Sequence, residues 1–537
     1  MKHDSALKVR DSDISTLNGV PTSNRCFIAR EFGESSKVGT QMTGVVKPGA
    51  PADGAIKWHT INWNAARSHV RRLQVRIAKA VKEGKHCKVR SLQWLLTHSF
   101  YAKLLAVKRV TSNQGKKTPG VDGILWKGNK AKMQAVLSLK RHGYNPQPLR
   151  RIYIPKKNGK KLRPLSIPTM FDRAMQALHK LALSPVAETT ADKNSYGFRE
   201  GRCCADAVQA AFNFLSKPNS ATYIFEADID ACFDNIAKKW MLDNIPMDKI
   251  ILRKWLEAGY IESNIRYPTL KGTPQGGIIS PTIANMALDG LEQVIKDAVP
   301  RRRRVNFVRY ADDFIATGKS KTILEKPIKP ATEEFLSVRG LKLSEKKTRI
   351  TYIKHGFTFL GQTFRKHGNT LHITPSKESV QSLIRNVGDI IRKHVSAPIE
   401  ALIKKLNAVL RGWANYHRHV VSSEAFSRVD TYVFEQLWRM IRRRHQNKSK
   451  DWLINKYWSA AGKYVFSFVS KYKNKTRILK VIRVCSIGIK RHIKIKAEAN
   501  PYLPEFRYYY WKRRNVKEAR LLGALSHRQY KAMIATR

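Results

Sequence analysis

Two adjacent carboxylates, Asp312 and Asp313, stand between short apolar runs, Val305-Asn306-Phe307-Val308 on one side and Phe314-Ile315-Ala316-Thr317 on the other. The runs read as two strands joined by a tight bend, with the acids at or beside the bend. A single Asp would be ordinary turn chemistry. Two in succession repel each other and cost stability unless a cation lies between them. The chain carries 101 Lys and Arg against 40 Asp and Glu, a formal charge of +61. A Lys or Arg could therefore neutralise the pair, and so could a divalent metal ion.

A second acidic stretch lies upstream: Thr222-Tyr223-Ile224-Phe225-Glu226-Ala227-Asp228-Ile229-Asp230-Ala231-Cys232-Phe233-Asp234. Its β-branched and aromatic start predicts a strand that delivers Asp228 at its end. Hard oxygen ligands from two strands can clamp a pair of Mg2+ ions roughly 3.5–4 Å apart, the arrangement used for in-line phosphoryl or nucleotidyl transfer. There one ion activates an attacking 3′-hydroxyl and the other holds the triphosphate and leaving pyrophosphate.

At this point a resemblance becomes specific. The Asp228–Asp234 stretch and Tyr310-Ala311-Asp312-Asp313 resemble motifs A and C of the reverse transcriptase palm, in the form found in group II intron-encoded reverse transcriptases, also called maturases. The resemblance implies that Asp228, Asp312 and Asp313 are the catalytic ligands of two Mg2+ ions, with the backbone carbonyl of Ile229 completing the set. It also implies that Phe233 packs under the nucleotide sugar and rejects a 2′-hydroxyl, whereas a Phe after a strand is more commonly core. Asp230 and Asp234 match no ligand position of the family.

Further blocks follow the family's order. Arg150–Leu165 reads as a basic hairpin with an Asn-Gly turn and resembles the fingers element that closes over the incoming nucleotide. Arg163 is the expected triphosphate ligand, because Arg grips phosphate through a bidentate fork, with Lys156, Lys157 or Lys161 assisting. Ser195-Tyr196-Gly197-Phe198-Arg199 with Gly201-Arg202 matches the next block, except that Glu200 stands where the family has Pro. Thr273-Pro274-Gln275-Gly276-Gly277-Ile278-Ile279-Ser280-Pro281 resembles motif B, in which paired glycines admit a base pair closely and Gln275 can bond near it. Gly340–Thr348 resembles motif D, where Lys347 is the expected general acid toward pyrophosphate, a helix-end Lys being the bland alternative. Gly356–Gly361 resembles the primer-grip hairpin.

Three amphipathic stripes follow, the second ending in Arg411-Gly412-Trp413-Ala414-Asn415-Tyr416. The stripes predict a three-helix bundle, and the string matches the GWxNY signature of maturase domain X. From about Asn447 the chain is basic and aromatic, with Trp452, Tyr457, Trp458 and Tyr502 among the rings, a composition that suits stacking on single-stranded bases. The segment resembles the DNA-binding region that follows domain X. Relatives then carry an HNH endonuclease with two CxxC pairs. Neither pair occurs before Arg537, so the expectation is a polypeptide that leaves the second DNA strand uncut and takes its primer from elsewhere.

Charge identifies the class of partner. An excess of cations spread over 537 residues calls for a polyanion, nucleic acid before anionic membrane, with binding that falls steeply as salt rises. Arg71, Arg72 and Arg109 in the N-terminal part, Arg411, Trp413 and Tyr416 in domain X, and Arg491 and Lys494 beyond it are the expected RNA and DNA contacts. The six cysteines are scattered without a CxxC pair, which fits a reducing cytosol. No apolar run reaches membrane-spanning length, so no membrane partner is expected. The N-terminus has no signal-peptide core, and a bacterial cytoplasmic protein is the simplest reading.

The expected fold class is α+β, a right-hand polymerase with fingers and a ferredoxin-like palm, a three-helix thumb and a basic C-terminal DNA-binding region. Its expected divisions are a flexible leader over 1–55, an N-terminal extension over 56–125, fingers over 126–220, palm over 221–370, thumb over 371–446 and DNA-binding region over 447–537. The expected activity is RNA-directed DNA polymerisation from dNTPs on template RNA with a DNA primer. A maturase role goes with it, in a ribonucleoprotein with group II intron RNA that acts on target DNA. The reading leaves room for a homodimer. Two alternatives remain: a domesticated enzyme of DNA repair or phage defence, and a splicing-only maturase.

Overall fold

The computed structural model describes residues 58–155, 162–269, 271–273, 275–462, 465–472 and 475–515. The expected leader, Lys156, Lys157 and Lys161 lie outside them. In chain order the strands are β1 Leu149–Pro155, β2 Leu162–Ile167, β3 Tyr223–Asp228, β4 Tyr260–Glu262, β5 Ile265–Tyr267, β6 Asn306–Tyr310 and β7 Asp313–Gly318. They continue with β8 Arg349–Tyr352, β9 Phe357–Phe359, β10 Gln362–His367, β11 Thr370–Pro375, β12 Ser467–Tyr472 and β13 Lys475–Lys480.

The sheet that matters for function has the order β6-β7-β3-β8, and every pairing in it is antiparallel. Side chains alternate across a strand, and here the alternation divides two cores. Phe225, Ala227, Phe307, Phe314 and Ala316 enter the large core, under helices that include Met170–Thr190 and Ser280–Leu288. Ile224, Val308 and Ile315 point the other way, onto Tyr196, Phe357 and Phe364. Phe314 lies 5.6 Å from Phe307 and 6.2 Å from Phe225 between ring centroids. Each ring removed from water contributes about 1.5–3 kcal/mol. A sheet buried on both faces fixes its own register, because a one-residue slip would exchange the two cores.

A second four-stranded sheet has the order β2-β1-β4-β5, so two strands from the expected palm range pair onto the expected fingers hairpin. Before it, helices Trp63–Lys82, His86–His98 and Phe100–Ser112 pack on Met170–Thr190. Val70, Leu73, Ile77 and Ala80 form the buried stripe of the first, and Asn62 caps its start by accepting from the Asn64 and Ala65 N–H groups.

After the three-stranded sheet β11-β10-β9, helices Lys377–Lys393, Ile399–His417 and Ser423–Arg444 bury Val380, Leu383, Leu402, Leu406, Val429 and Leu437 in a core of their own. That core also takes Tyr457 and Trp458, correcting the expectation that these rings are free to stack on bases.

Past β13 the chain does not swing away as an arm. It returns as a strap across residues 200–206 to the first helix. Arg202 donates to the Ala497 carbonyl (2.8 Å), the Tyr502 hydroxyl donates to Glu200 (2.8 Å), and Lys82 pairs with Glu505 (3.2 Å). Tyr502 is buried, a second correction to the stacking reading. Glu200, the departure from the expected Pro, is thus one of the residues that hold the strap. Cys203, Asp206 and His492 bring ligand atoms within 4.8 Å of one another, but the positive charge there is the Arg513 guanidinium, 2.7 Å from Asp206. Burial alone would raise the Asp206 pKa; His492, the Ile495 N–H and Arg513 bring it down to about 2. Among the described residues no helix is long and apolar enough to cross a membrane.

Candidate active site

The β3–β7 ladder sets Asp228 directly opposite Asp313. On the other side of β7, Tyr310 pairs with Asp313, which leaves Ala311 and Asp312 as a two-residue turn. Ala311 takes a left-handed φ of 59°, a conformation that costs a residue with a Cβ about 1–2 kcal/mol. Two contacts hold it. Arg309, within β6, directs its guanidinium back to the Ala311 carbonyl (3.4 Å). The Gly197 backbone presses on the turn so closely that a Cβ there would lie 2.4 Å from the Ala311 nitrogen.

Arg309 is fully buried, bonded to Asp289 (2.5 Å) and Asn285 (3.3 Å), with Asp192 at 3.8 Å. Burial pushes the Asp289 carboxyl up to about 6 even with the guanidinium beside it. Sequence reasoning passed over this residue. Its signal was an Arg inside an otherwise apolar strand. Glu226, also buried, was passed over in the same way. It receives both arms of Arg349 at 2.8 Å and fixes β8 beside β3.

The three carboxylates lie in unequal surroundings. Removal from water, then the like charges of Asp228 and Asp312, push the Asp313 pKa up to about 6. Burial and Asp228 raise that of Asp312, while Lys347 and Arg163 oppose the rise. The Lys347 ammonium lies 2.6 Å from Asp228 and is itself raised by that bond. The segment Gly340–Thr348 thus brings Lys347 to the acids, in a turn and not at a helix end. The Ser344 N–H donates to the Asp228 carbonyl and the Asp230 N–H to the Lys342 carbonyl. These bonds flank the bridge between Ile229 and Leu343, so the bridge does not consume the Ile229 carbonyl. Three hard oxygen donors close together, with Lys347 the one ammonium bonded to them among the described residues, fit a divalent cation.

Two further expected residues, Phe233 and Gln275, meet at the segment that follows β3. Phe233 lies in the short helix Cys232–Asn235 and meets Phe198 edge-on at 6.4 Å. Its carbonyl accepts from the Thr273 N–H (2.7 Å), and Gly272 is pressed so close that a Cβ would lie 2.4 Å from the Phe233 oxygen. Gln275 donates to Asp234 (2.7 Å), and its carbonyl accepts from the Ser166 N–H of the fingers (2.7 Å). A cavity of about 240 Å3 opens here, lined among others by Arg151, Ser166, Tyr260, Lys271 and Gln275. Arg163 is exposed on β2.

The nucleic-acid contacts expected further out divide. Arg72, Arg109, Arg411 and Arg491 are exposed. Arg71 is committed to the strap, donating to the Pro501 carbonyl and lying 4.9 Å over the Tyr502 ring. Lys494 is half-buried, and burial lowers its pKa. Trp413 donates to Ser379 (3.1 Å) and Tyr416 to the Leu360 carbonyl (2.7 Å). Both side chains thus already bond within the protein, while Tyr416 stays 38% exposed.

Comparison with known proteins agrees with this geometry. Residues 154–364 match the reverse transcriptase (RNA-dependent DNA polymerase) family, 58–139 the N-terminal domain of reverse transcriptase, and 380–458 the group II intron maturase-specific domain. Protein YkfC of Escherichia coli K12 is 30% identical over 305 residues, covering 48% of this chain and 79% of YkfC. Group II intron-encoded protein LtrA of Lactococcus lactis subsp. cremoris is also 30% identical, over 348 residues and 51% of this chain. The chain belongs to the group II intron-encoded reverse transcriptase and maturase family. It spans 56% of the length of LtrA. A solved telomerase from Candida albicans, in complex with a fragment of telomeric RNA, overlaps 55% of this chain and 59% of its own at 11% identity and a TM-score of 0.35. As a member of the maturase family the chain has a right-hand polymerase fold and belongs with enzymes that use divalent metals.

Proposed function

We propose that this maturase-family chain is an RNA-directed DNA polymerase that extends a DNA primer on template RNA from dNTPs. In this reading it also binds its group II intron RNA, assists splicing, and copies the intron after insertion into target DNA in a bacterial cytoplasm. The observation that carries the reading is the register opposing Asp228 to Asp313, with Asp312 in the intervening turn.

Asp228, Asp312 and Asp313, with the Ile229 carbonyl, are the groups that would hold two Mg2+ ions. When bound, the ions supply Lewis acidity toward the primer 3′-hydroxyl and neutralise charge on the triphosphate. The remaining work falls to side chains. Arg163 grips the triphosphate as a fork, assisted by the lysines of its hairpin. Phe233, backed by Phe198 and the Gly272 backbone, leaves no room for a ribose 2′-hydroxyl. Gln275, tied to Asp234 and to the fingers, supports the nascent base pair. Lys347, drawn off Asp228 when cations neutralise the acids, carries a proton toward the departing pyrophosphate.

Extension of an oligo(dT) primer on poly(rA), with dTTP and Mg2+, tests the reading. Elongation that stops on chelation is expected. A chain that binds the primer–template and never extends it would be a binding factor and no polymerase.

A further inference from the structure

We infer that Trp413, Tyr416 and His417, in and beside the maturase signature, are positioning residues that clasp the thumb to the palm and hold the β9–β10 turn for the primer; this rests on the polymerase reading. Their spacing places all three on adjoining faces of the last turns of helix Ile399–His417.

A directed chain of hydrogen bonds runs from the thumb into the palm. The Trp413 indole N–H donates to Ser379 Oγ (3.1 Å). Ser379 Oγ lies 2.9 Å from His417 Nε2, and His417 Nδ1 lies 3.1 Å from Gln362 Oε1 at the start of β10. An indole can only donate and an amide oxygen can only accept, so Ser379 accepts from Trp413, His417 Nδ1 carries the proton facing Gln362 Oε1, and in the neutral ring Nε2 accepts from the Ser379 hydroxyl. One tautomer thus satisfies every link. His417 and Gln362 are both 0% exposed, and an interior link left half-made would cost about 1–3 kcal/mol.

A second line reaches the turn itself. Leu360 and Gly361, with φ of 51° and 71°, connect β9 to β10, and both carbonyls are held from the thumb side. The Tyr416 hydroxyl donates to Leu360 (2.7 Å). The Ser376 N–H, at the N-cap of helix Lys377–Lys393, donates to Gly361 (2.9 Å). The Tyr416 hydroxyl also shares Cys204 as a neighbour with the hydroxyl of Tyr310, the residue that precedes the catalytic turn. The helix Ile399–His417, the β9–β10 turn and the strand that leads into the catalytic turn thus meet at one phenol. Losing it would let the turn and the thumb move independently, and primer placement would suffer before any chemical step.

The experiment compares the wild-type chain with Tyr416→Phe, which deletes only the hydroxyl, and His417→Gln, which can keep one link. Four quantities are read: affinity for a labelled primer–template without dNTP, KM and kcat for extension, affinity for intron RNA, and the unfolding midpoint. For Tyr416→Phe the expected result is a rise in primer–template Kd and KM of about three- to tenfold, the loss of one hydrogen bond. Its kcat at saturating primer–template, its RNA affinity and its midpoint should stay near wild type. His417→Gln should move the same constants in the same direction, with a lower midpoint. A fall in RNA affinity with unchanged primer binding would overturn the inference in favour of an RNA-reading edge. Unchanged constants throughout would overturn it as an idle contact. Because primer–template affinity is read without turnover, a wild-type chain that binds but does not extend would sink the polymerase reading and still leave the clasp measurable.

Discussion

Asp228 and Asp313 face each other across the β3–β7 ladder, and the only cation bonded to either among the described residues is Lys347, 2.6 Å from Asp228. Side chains from opposite ends of the palm sequence share one electrostatic problem. The protein solves it in part, by borrowing the Lys347 ammonium.

The first prediction concerns pH. The folded-state pKa of Asp313 is raised from 3.8 to about 6, so the folded chain holds a proton there that the unfolded chain has already released. This group therefore lowers metal-free stability as pH rises through that window, and the penalty is complete above about 6. A divalent cation favours the ionised form and removes the penalty. The rise in unfolding midpoint on adding Ca2+ should be larger at pH 7.5 than at pH 5.5, as read by differential scanning fluorimetry. An equal rise at both would mean that the ion binds elsewhere.

Lys347→Met removes the ammonium that competes with the ion at Asp228 and the proton donor for pyrophosphate. Metal affinity, by isothermal titration with Ca2+, should be equal or tighter. Single-turnover incorporation should fall by about 10²–10⁴-fold, the range for a general acid. Weaker metal binding together with unchanged incorporation would reverse both assignments.

Arg309→Met leaves Asp289 and Asp192 buried without their guanidinium, and removing one partner of such a pair costs about 3–5 kcal/mol. Denaturant titration should show the loss, and Asp289→Asn in the same chain should recover part of it by removing the orphaned charge. Additive losses in the double variant would mean that the two residues do not act on each other.

The site was legible in the sequence where chemistry is covalently local. Asp312 and Asp313 are chain neighbours between two short apolar runs, and Asp228 ends a β-branched and aromatic run, so all three strands that build the cluster could be read directly. Lys347 needed a family pattern, because nothing in a basic stretch says which Lys turns inward. Arg309 was missed for the opposite reason: in a chain of +61 one more Arg carries little information, and only the apolar residues around it hinted at burial. The C-terminal rings were misjudged because composition cannot tell an aromatic that fills a core, as Trp458 and Tyr502 do, from one that waits for a base. The strap joins residues some 300 positions apart, such as Glu200 to Tyr502, a pairing no local period encodes.

Phe233→Ala opens space beneath the sugar. The ratio of dNTP to rNTP incorporation should fall by about 10–200-fold, the discrimination that a small steric difference provides, while dNTP use continues. An unchanged ratio in single-nucleotide extension assays would return Phe233 to an ordinary core role against Phe198.

The account stands most directly on Asp312→Asn, which keeps the shape of the turn and removes one negative charge. Primer extension and intron RNA binding should be measured on the same preparation. Extension is predicted to disappear, with RNA affinity close to wild type. Extension that persists, or RNA affinity that falls by the same factor, would contradict the claim that these three carboxylates are a polymerase centre.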